Sequence, residues 1–296
     1  MTKPASQQFS WTFALALLVL CACDVQPGES KAQAPVATQS ASLFAAAPGQ
    51  QWPLPRRLRE ISGLALAPNG RLFAHNDEHA VVYQLDIDTG RIVKTFSLNA
   101  PNGHPVHGDF ESIAVTDSGD FYMLTSTGIL YRFREGEDGA NVAFTTADTD
   151  LSAVCEIEGL AFDRAEDSLI IACKVNYQHG MRHHIALYAW SLHDRQVRPW
   201  RRFPAAPLAA AIGADAFHPS EITFDPQSHR MILLSGRERG MVELASDGTL
   251  LASRSLAALH RQPEGAAVLR DGSLAIADEG AAGAHAQLTR YARVHD

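Results

Sequence analysis

The sequence of 296 residues predicts an all-β protein, a β-propeller of five four-stranded blades. Three observations predict it: a motif that recurs at blade-like intervals, a polar turn after each copy, and short alternating apolar runs without a helical period. The five copies of the motif occupy residues 61–65, 110–114, 157–161, 219–223 and 263–267. A sixth blade is the alternative if the long third repeat contains an extra one.

Each motif reads as the first strand of a blade. A hairpin turn follows it, as in Pro68-Asn69-Gly70 or Asp271-Gly272, and an apolar second strand comes next. Third strands such as 81–85 and 129–133 alternate, and fourth strands are visible at 92–96 and 250–253.

The spacing of the motifs predicts how the ring closes. Equivalent positions at 62, 111, 158, 220 and 264 are separated by 49, 47, 62 and 44 residues, the length of four strands with their turns. After Glu264 only 32 residues remain, enough for three strands. We expect the missing fourth strand to come from residues 43–54, so that the two ends of the chain close the ring.

The first residues indicate export and a lipid anchor. The apolar run 13–20 is too short to span a bilayer and precedes Leu20-Cys21-Ala22-Cys23, which resembles a bacterial lipobox. We therefore predict a signal peptide over 1–22, lipidation of Cys23, a flexible tether over 23–47 and a propeller domain over 48–296. An ordinary secretory signal is the alternative. Acyl chains on Cys23 would hold the protein on the cell membrane or outer membrane, facing the periplasm.

The charge balance restricts the partners. The chain has 25 basic and 33 acidic side chains, a formal net charge of −8, which argues against nucleic acid as a partner. Its 46% apolar content excludes a disordered chain, and we expect a monomer.

Two cysteines lie within the predicted propeller, Cys155 and Cys173, and both flank one hairpin. Outside the cytoplasm they could form a disulfide, and two buried free thiols are the alternative. The predicted register places Cys173 opposite Glu158, with Cys155 on a diagonal.

The first strands of propeller blades line the central channel, so equivalent positions should meet at one depth. Second strands return to the same end of the channel and add their last residues. The candidate channel and ligand-binding residues are Ser62, Glu111, Glu158, Ser220 and Glu264 on first strands, and Asp77, Lys174, Arg237 and Asp278 after second strands.

Three carboxylates at one depth repel each other unless something compensates their charge. A bound hard cation, calcium, would be held by Glu111, Glu158 and Glu264. Two alternatives stay open: ion pairs of the glutamates with Lys174 and Arg237, and a catalytic carboxylate.

Histidines form a second set of candidates. The stretch 179–184 contains three and could bind zinc or copper, although a solvated loop explains it as well. His75 and His79 flank an acidic cluster, and His104, His107 and His218 precede channel motifs, where they could act as an acid or base. No Gly-x-Ser-x-Gly, P-loop, dinucleotide-binding or His-Glu-x-x-His motif is present in the sequence.

Several of these sequence motifs together resemble those of a known family. The lipobox, Glu60-Ile61-Ser62-Gly63-Leu64, the ending Gln262-Pro263-Glu264-Gly265-Ala266 and Ala277-Asp278-Glu279 are similar to the SdiA-regulated, YjiK-like propellers. They resemble the esterase-like phytase propellers more distantly. The resemblance covers residues 52–294 and implies a propeller without an established reaction.

These observations favour a lipoprotein that binds a small molecule or a protein partner at its channel mouth and acts as a binding or scaffold protein. The alternative is a calcium-dependent esterase or phosphoesterase, in which the ion polarises an oxygen and activates water.

Overall fold

The computed structural model describes residues 41–281 and 283–294. The predicted signal peptide, Cys23 and most of the tether lie outside these residues. Strands dominate the described part, which contains one α-helix, α1 (Ala206–Ile212), and one 3-10 helix, Arg56–Leu58. No helix in residues 41–281 or 283–294 has the length and apolar character needed to cross a membrane.

The strands form five sheets, which we number as blades 1 to 5 in chain order. The first strand of the chain, β1 (Gln50–Pro53), belongs to blade 5. Blade 1 contains β2 (Ile61–Leu66), β3 (Leu72–Asn76), β4 (Val81–Leu85) and β5 (Ile92–Leu98). Blade 2 contains β6 (Phe110–Val115), β7 (Asp120–Thr125), β8 (Ile129–Arg134) and β10 (Phe144–Asp148), while the short β9 (Asn141–Val142) pairs with β5 in parallel.

The remaining blades follow the same pattern of antiparallel neighbours. Blade 3 contains β11 (Cys155–Asp163), β12 (Ser168–Asn176), β13 (His184–Ser191) and β14 (Val197–Pro204). Blade 4 contains β15 (Glu221–Phe224), β16 (Met231–Ser235), β17 (Gly240–Leu244) and β18 (Leu250–Ser255). Blade 5 contains β19 (Pro263–Val268), β20 (Leu274–Asp278), β21 (Gln287–Tyr291) and β1.

The five-bladed fold and its closure are confirmed. The N-terminal strand β1 is antiparallel to β21, with Gln50 opposite Arg290 and Pro53 opposite Gln287. The extra length of the third repeat lies in the long strands of blade 3 and in α1, which ends at Gly213 in the left-handed conformation (φ 75°). The third repeat therefore contains no additional blade.

Apolar side chains fill the space between neighbouring blades. Between blades 1 and 2, the Phe73 and Phe121 rings meet edge to face with centroids 4.9 Å apart, and Phe133 stacks on Phe121 at 5.5 Å. Each of these rings is almost completely buried. Because every blade packs on two neighbours in this way, the ring holds the innermost strands at fixed positions around the axis.

The propeller begins earlier than the predicted boundary at residue 48. Phe44 is buried and bridges to Arg293, and Arg254 donates to the carbonyl oxygens of Phe44 and Ala45, both at 2.7 Å. The fully buried Glu243 accepts the backbone N–H of residue 43 at 3.1 Å. We name residues 42–45 the strap. A buried carboxylate and a buried aromatic ring thus fix a segment whose Ala- and Ser-rich composition suggested a tether.

The strap lies at the end of the blades that is remote from the predicted channel mouth. Strand β21 starts at Gln287, opposite Asp278 at the mouth end, and finishes at Tyr291, opposite Leu274. Arg293 and its partner Phe44 lie beyond that second end. The chain therefore enters the propeller from the end opposite to the mouth.

The structure joins Cys155 and Cys173 by a disulfide, with their Cα atoms 5.7 Å apart. The predicted register was wrong by one residue: Cys173 is opposite Ile157, and Cys155 is opposite Asn176. The reason is a β-bulge that leaves Glu158 without a cross-strand partner.

Removing this disulfide should weaken the fold. It closes a loop with a sequence separation of 18, so the double substitution Cys155→Ala and Cys173→Ala should lower the free energy of unfolding by about 3 kcal/mol, mainly through the unfolded chain. Urea unfolding of the variant and of wild type, each with and without reductant, measures the difference. Equal stability of oxidised and reduced wild type would contradict this expectation.

Candidate functional site

A β-bulge recurs near the start of four innermost strands. The bulges in β2, β6, β11 and β19 leave one residue of each strand without a cross-strand partner. These residues are Ser62, Glu111, Glu158 and Glu264. A bulge bends the strand and redirects the side chain of its extra residue. The repeated motif therefore serves to turn one side chain per blade toward the channel mouth.

The residue after the bulge is glycine in three blades because the innermost strands approach closely there. A Cβ atom on Gly159 would lie 2.9 Å from the backbone nitrogen of Ile222. One on Gly265 would lie 3.0 Å from the backbone of Gly63. The strands thus narrow the channel just beneath the bulged residues, and the glutamates lie at the bottom of an open mouth.

A cavity of about 210 Å³ occupies this mouth. Six of the predicted channel residues line it, and further carboxylates surround them. The predicted residues are Ser62, Asp77, Glu111, Glu158, Lys174 and Glu264, and the additional acidic residues are Glu60, Asp109, Glu156 and Glu279. The central group was predicted from the sequence, whereas the acidic rim was missed, although Glu60, Asp109 and Glu156 each stand two residues before a bulged residue of the motif.

Lys174 is the cation within this acidic cavity. Its ammonium group lies 2.6 Å from Glu158 and 3.4 Å from Glu156. Although burial opposes it, the bond to Glu158 holds the pKa of Lys174 above its ordinary value. Burial raises the pKa of Glu158 to about 6 even though Lys174 acts in the opposite direction. One of the three ring glutamates is thus paired, as the ion-pair alternative expects.

The other two ring glutamates have no such partner among the described residues. Burial, followed by the negative charge of Glu158, raises the pKa of Glu111 to about 9 and that of Glu264 to about 8. Both carboxyl groups are therefore protonated at neutral pH. Within residues 41–281 and 283–294, no three histidine, cysteine, aspartate or glutamate side chains converge closely enough to hold a metal ion.

Three predicted channel residues lie elsewhere. The Ser220 hydroxyl donates to the Pro263 carbonyl at 2.8 Å and accepts the N–H of Gly236, so it links blades 4 and 5. Arg237 is 73% exposed, and its ion-pair partner, at 3.9 Å, is Glu238 rather than a ring glutamate.

Asp278 turns away from the mouth into blade 5. Its carboxylate bonds Nδ1 of His260 at 2.6 Å, and Nε2 of His260 bonds the Tyr291 hydroxyl at 2.6 Å. All three side chains are buried. Asp278 therefore belongs to a hydrogen-bonded chain inside the blade, because side chains alternate along β20.

Sequence reasoning missed Glu221, which follows Ser220 at the glycine position of the motif. It is fully buried and accepts hydrogen bonds from the Ser112 hydroxyl at 3.0 Å and the Ile222 N–H at 2.8 Å. Burial raises its pKa well above the ordinary value. The signal was present in the sequence, because glutamate stands in blade 4 where three other blades have glycine.

The histidines are dispersed. His75 is fully buried and its pKa is lowered to about 4 by burial, so it is a neutral packing residue. The rings of His79 and His107 are in contact at the mouth end, with centroids 5.1 Å apart. His179 and His183 are exposed in a loop, as the solvated-loop alternative expects.

Breaking the central ion pair should destabilise the propeller. With Lys174→Met, the nearly buried Glu158 must either stay charged without a partner or take up a proton. Both are unfavourable near pH 8, and we expect a loss of about 2 kcal/mol in the free energy of unfolding. Adding Glu158→Gln to this variant should restore most of the lost stability. Urea unfolding of the two single variants, the double variant and wild type gives the coupling energy. Strictly additive effects of the two substitutions would contradict the pairing.

The fold and the mouth define a five-bladed β-propeller with an acidic channel mouth. A family model described as SdiA-regulated matches residues 209–290, which contain blade 4 and most of blade 5. The resemblance to the SdiA-regulated propellers is thereby confirmed. No curated protein matches the chain.

Solved structures share this fold. Glutaminyl cyclase from Myxococcus xanthus superposes with a TM-score of 0.55 at 13% identity, covering 84% of this chain and 97% of the cyclase. The PQQ-bound aldose sugar dehydrogenase from Streptomyces coelicolor superposes with a TM-score of 0.51 at 13% identity, covering 83% and 99%. At such sequence identities the similarity shows the fold alone. The function is therefore inferred from the side chains of the channel mouth.

Proposed function

We propose that this protein is a binding protein, tethered to the membrane through Cys23, whose channel mouth takes a positively charged group of its ligand. The observation that carries the proposal is the position of Glu111 and Glu264 in the mouth without a free cation beside them. Both side chains are half-buried in the mouth, and the cation among the described residues that line the mouth cavity, Lys174, is engaged by Glu158 and Glu156.

An incoming cation would replace the protons on these two groups. A buried carboxyl that stays neutral for lack of a counter-charge ionises when a cation arrives beside it. Binding at neutral pH should then release up to two protons, and the affinity should rise with pH. This property distinguishes a binding site from a structural network, which would already contain its counter-charges.

An ammonium or guanidinium group fits the mouth better than a calcium ion. Lys174 already places an ammonium group 2.6 Å from Glu158, so the ring accommodates this chemistry. Calcium takes six to eight oxygen ligands. The described glutamates do not converge into such a set, and a calcium ion would have to draw them together. Calcium-dependent hydrolysis would first require calcium binding, so one titration tests both proposals.

The experiment is a calorimetric titration of the chain from residue 41 onward with putrescine, agmatine and calcium chloride. Wild type is compared with the double variant Glu111→Gln and Glu264→Gln, and with Glu137→Gln as an exposed control. We expect an amine to bind wild type and the control, to release protons that change the heat between two buffers, and to lose affinity at least about tenfold in the double variant. Binding of calcium without any amine would instead establish a metal site. Equal amine binding by the double variant would refute the proposal.

The anchor is tested separately on the full chain. Cys23→Ala should move the protein from the membrane fraction to the soluble fraction after export. Retention of the variant on the membrane would show that another segment holds it there.

A further inference from the structure

A second cavity, of about 590 Å³, adjoins the acidic mouth. The two cavities share four lining residues, Glu156, Lys174, Gln262 and Glu264, so a ligand in one can extend into the other. The second cavity has the opposite charge. Besides Lys174 it is lined by Arg237, Arg239 and Arg261, against the carboxyl groups of Glu156 and Glu264.

The arginines of this cavity are not neutralised by their surroundings. Arg239 and Arg261 form no ion pair or side-chain hydrogen bond with another described residue, and Arg237 reaches only Glu238 at 3.9 Å. Glu238 is itself occupied. It accepts the backbone N–H of His218 at 3.0 Å, Nδ1 of His218 at 2.8 Å and the Ser235 hydroxyl.

This arrangement orients His218. Although burial opposes it, the hydrogen bonds from Ser235 and His218 lower the pKa of Glu238, so the carboxylate is ionised and binds the Nδ1–H of His218. The other ring nitrogen, Nε2, makes no hydrogen bond to a described residue, and the side chain lines the cavity. Nε2 is therefore available for a hydrogen bond with a ligand in the cavity, alongside the guanidinium groups.

We propose that the ligand is zwitterionic, of the amino-acid or short-peptide type, with its ammonium group among the glutamates and its carboxylate in the cavity formed by Arg239, Arg261 and His218. This inference rests on the proposed function and adds the anionic half of the ligand. The juxtaposition of two oppositely charged, connected cavities carries it, since either cavity alone would attract a ligand of one charge. Guanidinium groups bind carboxylates through two parallel hydrogen bonds, which also fixes the direction of the ligand.

The test uses three dipeptide pools of identical side-chain composition: free dipeptides, C-terminally amidated dipeptides and N-acetylated dipeptides. Each pool is incubated with the chain from residue 41 onward, and retained compounds are identified by ultrafiltration and mass spectrometry. The proposal expects members of the free pool to be retained and their two capped counterparts to be lost. Titration of a retained dipeptide should then show an affinity at least about tenfold above that of its amide.

Variants separate the two halves of the site. The double variant Arg239→Gln and Arg261→Gln should lower the affinity for the free dipeptide to that for its amide. The control Arg91→Gln, on an exposed turn of blade 1, should leave both affinities unchanged. Melting temperatures of all variants check that the fold is intact.

The outcomes distinguish this inference from the proposed function. Equal retention of the free and amidated pools would refute the proposal of a zwitterionic ligand, while the proposal of a cation-binding mouth would stand. Equal retention of the free and acetylated pools, with loss of the amidated one, would overturn the cation-binding mouth instead. Retention of no pool would overturn the zwitterion, and the titration with putrescine and agmatine would then decide on the cation-binding mouth.

Discussion

Wild-type protein should lose stability as the pH rises from about 5 to about 9, whereas most proteins are stable through neutral pH. Burial raises the pKa of Glu264 to about 8 and that of Glu111 to about 9, from ordinary values near 4.5. The folded state therefore holds protons that the unfolded state has already released. The stabilisation from these protons is complete below the unfolded pKa, and it is lost as the pH approaches the folded values. Since a tenfold change in the proton affinity of a carboxylate corresponds to about 1.4 kcal/mol, the combined loss should exceed about 2 kcal/mol.

The double variant Glu111→Gln and Glu264→Gln removes this dependence. It should resemble wild type near pH 5 and be clearly more stable near pH 9, because glutamine remains neutral at both. Urea unfolding at the two pH values measures the effect, and Glu137→Gln, which changes an exposed glutamate, should follow wild type. A double variant that is less stable than wild type near pH 9 would mean that ionised glutamates support the fold.

A chain that starts at residue 48 should be less stable than one that starts at residue 41 by about 4 kcal/mol. The shorter chain loses the strap and with it the burial of Phe44. It also leaves the buried Glu243 without the N–H of residue 43, so that Arg230, at 3.0 Å, becomes its main partner. Removing one partner of a buried charge is unfavourable because the charge keeps its cost of dehydration.

Two substitutions locate the effect within the strap. In the chain from residue 41, Phe44→Ala should account for about half of the loss through the lost burial alone. Glu243→Gln, introduced into the shorter chain, should recover part of the stability because the unpaired charge is gone. Urea unfolding of these chains provides the comparison. Similar midpoints for the chains from 41 and 48 would show that the strap contributes nothing.

The fold was predictable because the motif repeats, and the repeat reflects a local geometry. In three blades a bulged residue followed by glycine occurs where the innermost strand must bend and pack closely, and the pattern is visible as Ile61-Ser62-Gly63 and Ile157-Glu158-Gly159. The bulge itself was not visible. It shifted the pairing by one residue, and the predicted register around Cys173 was wrong for that reason.

The candidate site was predictable only where it follows the repeat. Glu111, Glu158 and Glu264 meet because they occupy equivalent positions, and Lys174 reaches them from an adjacent strand. Asp278 is the last residue of β20 and bonds to His260, so it is equivalent to Asn76 and not to Asp77. The equivalent of Asp77 is the next residue, Glu279, which lines the mouth. The partnership of His218 with Glu238 joins residues 20 apart in sequence whose contact depends on the turn after β16.

The pairing of β1 with β21 has a consequence for how the protein is made. These strands are the first and the last in the described part of the chain, so their pairing has the largest sequence separation of any two strands in the ring and requires all the blades to have been synthesised. Such distant contacts form slowly. If the chain is exported from its N-terminus, β1 remains unpaired until β21 has also crossed the membrane. During that interval blade 5 presents an open strand edge that can pair with other chains. The interval before the last strand is available is therefore the stage at which this propeller is most exposed to misassembly.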